Sequence, residues 1–149
     1  SYIGLDVSPT AIQKCKKRFK RDSSKSFFLY DSKSFIDNHN VFQAELGLSM
    51  DVIYHLVEDN IYQNYMSHLF SSSEKYVIIY SSNTTVNSDA DHIRHRKVTN
   101  WVKNNTENWI LFNKIENKYP RDPSKPYETD PDETSWSDFY IFKKSNDKM

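Results

Sequence analysis

The chain has 149 residues, 37% hydrophobic and 15% aromatic, which is long enough for one core and short for two, so a single domain over 1–149 is expected. Twenty basic and twenty acidic side chains cancel, so no overall field draws nucleic acid or an anionic membrane, and neither is expected as a partner. No apolar run approaches the roughly 20 residues that span a bilayer, no signal-peptide pattern is present and the lone Cys15 cannot form an internal disulfide, so a cytoplasmic protein is expected.

Tyr2 to Phe19 reads as a buried strand, with Ile3, Leu5 and Val7 around Gly4, that turns at once into a capped helix. Ser8 suits the N-cap and Pro9 the first helical position; Ile12, Cys15 and Phe19 then recur at helical spacing. Asp22 to Lys25 breaks the pattern, and Ser26 to Tyr30 reads as a second strand closed by Asp31. Residues 32–45 suit a short helix or a loop, and Leu46 to Met50 a third strand ending in Asp51. A helix from Glu58 to Ser71 carries Ile61, Tyr65, Met66, Leu69 and Phe70 on one face. Lys75 to Tyr80 is a continuous apolar strand of the kind buried in parallel sheets. A helix is expected from Asp89 to Asn105, with Ile93, Val98, Trp101 and Val102 on its apolar side. Two strands, Trp109 to Phe112 and Trp136 to Phe142, flank a proline-rich and acidic loop between Tyr119 and Glu133. This order implies an α/β fold: a Rossmann-like, mostly parallel sheet with helices on both faces and a C-terminal antiparallel hairpin.

A carboxylate at the carboxyl end of a strand that opens into a helix is placed to accept the hydroxyls of a ribose, so Asp6 points to a nucleoside-containing ligand. Its plain alternative is a carboxylate that favours a helix N-terminus. Gly4 and Gly47 are the only glycines, so no glycine-rich loop that wraps a phosphate can be written in these residues.

With these pieces in order, the chain resembles the class I S-adenosylmethionine-dependent methyltransferases. Ile3 to Pro9 is similar to that family's second strand and turn, Tyr30-Asp31 to the end of the third, Leu48 to Glu58 to the fourth and its exit, and Tyr76 to Asn83 to the fifth. The family's first strand and glycine-rich turn have no counterpart, and the resemblance implies an N-terminally incomplete domain lacking on the order of 30 residues, about one strand, turn and helix. It implies S-adenosylmethionine as cofactor and methyl transfer to an unidentified, small-molecule acceptor, the alternative being a degenerate or partner-dependent binding module. By position, Asp6 would bind the ribose hydroxyls, Val7 would pack on adenine, Asp31 with Ser32 beside it would meet the adenine amino group, and Ser49 and Met50 would face the methionine part. Asp51, Tyr54 and His55 would lie near the acceptor. His55 is the candidate general base, because imidazole titrates near neutrality.

His92 and His95 have a helical His-x-x-His spacing, but no third ligand follows at a signature distance, so no metal is expected. Arg94 and Arg96 are expected to cover the open end of the site and meet an acidic substrate. Tyr80, Tyr127 and Trp136 are candidates for lining a pocket. An uncapped sheet makes a homo-oligomer an open expectation.

Overall fold

The computed structural model describes residues 1–86, 90–122 and 134–145. Contacts divide the chain into two compact units, Ser1–Phe42 and Gln43–Met149. In the first, strand β1 (Tyr2–Asp6) leads into helix α1 (Pro9–Arg18) and returns as strand β2 (Lys25–Leu29), parallel to β1 from Tyr2↔Lys25 to Asp6↔Leu29. The cap forms as its residues dictate: the Ala11 N–H donates to the Ser8 hydroxyl at 3.2 Å, and Pro9 supplies a first position that needs no donor. Ile12 and Phe27 are buried where α1 lies on the strands, and Phe19 stacks on Phe27 at 5.6 Å.

β1 is not the buried strand its composition suggests. Leu5 is 41% and Val7 71% exposed, because β1 has a strand neighbour on one edge and α1 reaches mainly the Ile12 and Phe27 side. Residues 31–42 form turns rather than a helix; the Asp37 carboxylate accepts from the Val41 and Phe42 N–H groups at 2.7 and 2.9 Å, which fixes a local turn instead.

The second unit holds a four-stranded sheet in the order β3-β4-β6-β5, built from β3 (Ala44–Met50), β4 (Ser73–Ser82), β5 (Trp109–Ile115) and β6 (Ser137–Lys144). β3 and β4 are parallel, joined through helix α2 (Asp59–Ser71). β6 is antiparallel to both its neighbours, so β6 alone runs against the other three. The fold is therefore mixed α/β, mostly parallel with an antiparallel C-terminal pair, as the strand order implied. Val77, Ile79, Tyr140 and Phe142 supply the sheet side of one core, against Met66 and Phe70 of α2 and Val98, Trp101 and Val102 of helix α3 (Val98–Asn105).

Tyr62 joins that core and belongs to the buried stripe of α2 that the sequence pattern placed on its neighbours Ile61 and Tyr65. α3 is shorter than the expected 89–105 helix, whose first residue lies outside the described residues. Residues 90–97 are irregular because their donors are taken elsewhere in the unit: the Arg94 N–H bonds the Tyr54 carbonyl at 2.8 Å, and the Arg96 guanidinium bonds the Leu56 and Val57 carbonyls at 2.6 and 2.8 Å. Tertiary hydrogen bonds outweigh the weak local preference for helix.

Candidate functional site

Four of the nine candidate residues belong to the first unit. Asp6 is the last residue of β1, exposed, with Oδ1 accepting the Ser8 N–H at 2.7 Å. Its backbone carbonyl accepts the Tyr30 N–H at 2.9 Å, which brings the end of β1 beside the start of the Asp31 turn. Val7 follows as an exposed apolar surface and Ser32 is buried. Asp31 accepts from the Lys33 N–H at 3.1 Å and the Ser34 hydroxyl at 2.7 Å, and these bonds hold its carboxyl below the usual range. The two strand ends thus present two carboxylates, and a carboxylate has about four acceptor sites, so both keep capacity for a ligand's hydroxyl or amino donors.

The other five lie at the carboxyl end of β3. Ser49 is buried and its hydroxyl accepts from Tyr65 of α2 at 2.9 Å, so its side chain points into the core, while Met50, next along the strand, is 47% exposed. Asp51 has φ 55°, the left-handed region that a short polar side chain tolerates best, and its N–H bonds the Tyr80 carbonyl at 3.0 Å. The Tyr54 phenol donates to the Asp51 carboxylate; burial, then that bond and the Asp51 charge, raise its pKa, so it stays protonated. The 3₁₀ turn Ile53–His55 carries both Tyr54 and His55.

His55 Nδ1 lies 3.3 Å from the His92 carbonyl oxygen. A carbonyl only accepts, so in the neutral ring Nδ1 holds the proton and Nε2 the lone pair, the tautomer a general base requires. Around it runs a ladder of rings: His92 and His55 are nearly parallel at 6.0 Å, Tyr54 is 4.5 Å from His55 and 6.3 Å from His95, and His95 is 5.8 Å from Trp136. His95 Nδ1 and the Ser82 hydroxyl are 2.7 Å apart, and burial lowers the pKa of the ring. Ser82 carried no signal in the sequence, because a serine at a strand end is ordinary until its partner, thirteen residues away, is placed on it. Among the described residues no group of histidine, cysteine and carboxylate side chains is arranged to hold a metal ion.

Arg94 and Arg96 differ in exposure: the Arg94 side chain is 48% exposed while Arg96 is largely buried. Arg96 is drawn in over the Tyr62 ring at 4.4 Å, its side chain 11% exposed, and both arginines pair with Asp59. They clamp the segment after His55 through the Leu56 and Val57 carbonyls. The Tyr80 hydroxyl is likewise engaged, with Asn117 Nδ2 at 2.6 Å and Ser135 Oγ at 3.2 Å, and Tyr127 lies outside the described residues.

No family model matches the chain, and no curated protein does. Solved structures do. The methyltransferase domain of bacterial CtHen1-C matches 96% of this chain and 76% of its own at 18% identity and a TM-score of 0.65. The N-methyltransferase NodS from Bradyrhizobium japonicum WM9 matches 97% of this chain and 73% of its own, at 16% identity and TM-score 0.68. The chain has the class I methyltransferase fold. Magnesium protoporphyrin IX methyltransferase (ChlM) from Synechocystis PCC 6803, solved with bound SAH, shares this fold over 96% of the chain, which spans 64% of that protein, at 12% identity and TM-score 0.65. Within its own unit, each of β1 and β3 ends at the carboxyl end of a parallel strand pair, the kind of end where open α/β sheets bind ligands.

Proposed function

We propose that this protein transfers a methyl group from S-adenosylmethionine to a small-molecule acceptor whose identity stays open. The observation that carries this reading is Asp6: in a class I methyltransferase fold, an exposed carboxylate ends the first parallel strand, with one oxygen tied to Ser8. Structures sharing the fold hold the demethylated product or the cofactor itself, which supports the choice of ligand. The cofactor supplies a methyl on a sulfonium, so an acceptor's lone pair forms the new bond while the carbon–sulfur bond breaks and leaves a neutral thioether.

In the first unit, Asp6 takes the ribose hydroxyls, Val7 offers an apolar surface for adenine, and Asp31 with Ser32 takes the adenine amino group. In the second unit, Ser49 contributes backbone rather than hydroxyl, which Tyr65 occupies, and Met50 meets the methionine part. Asp51 and Tyr54 form a hydrogen-bonded pair that orients the acceptor end, and His55 Nε2 takes a proton from an acceptor that carries one. Alignment supplies much of the rate in a one-step displacement, so loss of His55 slows transfer without abolishing it.

Calorimetric titration of S-adenosylhomocysteine tests the reading. The form extended upstream to include a strand and a glycine-rich turn binds with micromolar affinity, and Asp6→Ala weakens binding about tenfold or more, the scale of a lost hydrogen bond to a charged group. No heat of binding, either by these 149 residues or by that extended form, at protein concentrations where the far-ultraviolet spectrum is folded, would replace the enzyme with a non-catalytic module.

A further inference from the structure

We propose that the first unit carries a binding surface for single-stranded nucleic acid on α1 and the cleft beside it. The zero net charge of the chain conceals an asymmetry: residues 1–42 hold eight basic and four acidic side chains, a surplus of four that the remaining 107 residues cancel. Six of the eight, Lys14, Lys16, Lys17, Arg18, Lys20 and Arg21, fall within eight consecutive positions. None of the six forms an ion pair among the described residues, whereas Lys25 pairs with Asp22. Complementing the α1 dipole accounts for Lys16, Lys17 and Arg18 in its last turn, and leaves Lys14, Lys20 and Arg21 without that reason.

Beside this run lies a cleft of about 430 Å³, lined by Lys16, Lys20 and Arg21, by the paired Lys25 and Asp22, and by the partly exposed rings of Phe19 and Phe28 over the buried Phe27. Cations for phosphates next to aromatic surface for bases is the arrangement that tracks an unpaired strand, since in a duplex the base faces are already stacked. Arginine adds the planar fork that matches phosphate oxygens. An acidic peptide would use the cations and leave the rings idle. The cleft borders the start of β2 at Lys25 and Ser26, the end of the two-stranded sheet opposite to Asp6 and Asp31, so a strand bound there leaves those carboxylates accessible.

Fluorescence anisotropy of a labelled 16-nucleotide oligouridylate, titrated with the 149-residue chain at 50 mM salt, tests this. Binding is expected in the micromolar range, with a slope of log affinity on log salt near −3, as about four neutralised phosphates require. The pair Lys16→Glu with Lys20→Glu is expected to weaken it at least tenfold, while Lys103→Glu on α3 leaves it within twofold. Retained S-adenosylhomocysteine binding by the double variant, made in the upstream-extended form, would show that the fold and the methyltransferase reading are untouched. No anisotropy change, equal displacement by poly-glutamate at matched charge, or equal loss in Lys103→Glu would overturn the proposal.

Discussion

Gly47 shows how tightly single residues are held. A Cβ there would stand 2.2 Å from the Ser73 hydroxyl and 3.1 Å from Leu69 Cδ1, and Ser73 cannot simply turn away because it donates to the Leu69 carbonyl at 2.7 Å. Gly47→Ala is expected to cost about 1–3 kcal/mol, the range for overpacked sites, read as a lower urea midpoint. Asp51 tests the backbone instead. Its left-handed φ is tolerated by aspartate and asparagine but costs a β-branched residue about 1–2 kcal/mol or more. Asp51→Asn should hold stability within about 0.5 kcal/mol, and Asp51→Val should fall well below it; equal stabilities would mean the conformation is not a constraint. If Asp51 also orients Tyr54 in the proposed reaction, Asp51→Asn slows methyl transfer while the melting temperature stays put.

Between elements, the segment 90–97 acts as a strap over the exit of β3. Its hold comes from Arg96, which satisfies two backbone carbonyls and one carboxylate oxygen while lying on Tyr62. Replacing it by methionine keeps an apolar stem on the ring and removes the donors. Arg96→Met is expected to destabilise by about 2–3 kcal/mol, since hydrogen bonds from a charged, largely buried donor contribute more than neutral ones. Hydrogen exchange at the Arg94 amide, whose acceptor is the Tyr54 carbonyl, should quicken in that variant; an unchanged rate would show that the strap holds without its arginine. Because the strap also carries His92 and His95, its loosening moves the ring ladder around His55, a link that no local pattern in residues 90–97 reveals.

Across the whole molecule, stability depends on pH through groups of opposite character. Burial lowers the pKa of His95 and of His68 below 6.5, so the unfolded chain binds more protons than the folded one in this window. Their neutral forms suit the fold fully above about pH 6.5, and stability declines as pH falls through that value toward the folded pKa values. Asp22, held at about 2 by Lys25 and then Ser24, and Asp31, Asp59 and Asp138, also held low, keep their contribution above about pH 4 and lose it as pH falls further. Thermal melts from pH 8 to 3 should therefore decline in two stages. His95→Gln should shallow the upper one and spare the lower; an unchanged upper stage would remove His95 from the account.

The α/β order, the capped helix after β1, the span of α2 and the antiparallel close were legible in the sequence. Local physics decides them: Ser8 and Pro9 start a helix wherever they stand, and period-3.6 and continuous apolar runs persist in any register. Asp6 was legible as a strand-end carboxylate for the same reason. The start of α3, the inward turn of Ser49, the capture of Arg94 and Arg96 by Asp59 and two backbone carbonyls, and the pairing of Ser82 with His95 were decided by tertiary structure. Each depends on groups between about 13 and 40 positions away, and the strength of such a bond is set by where the partner lands, which neither propensity nor periodicity encodes. The surplus of charge in residues 1–42 was present in the sequence throughout, yet it took the fold to place Lys16, Lys20 and Arg21 around one cleft.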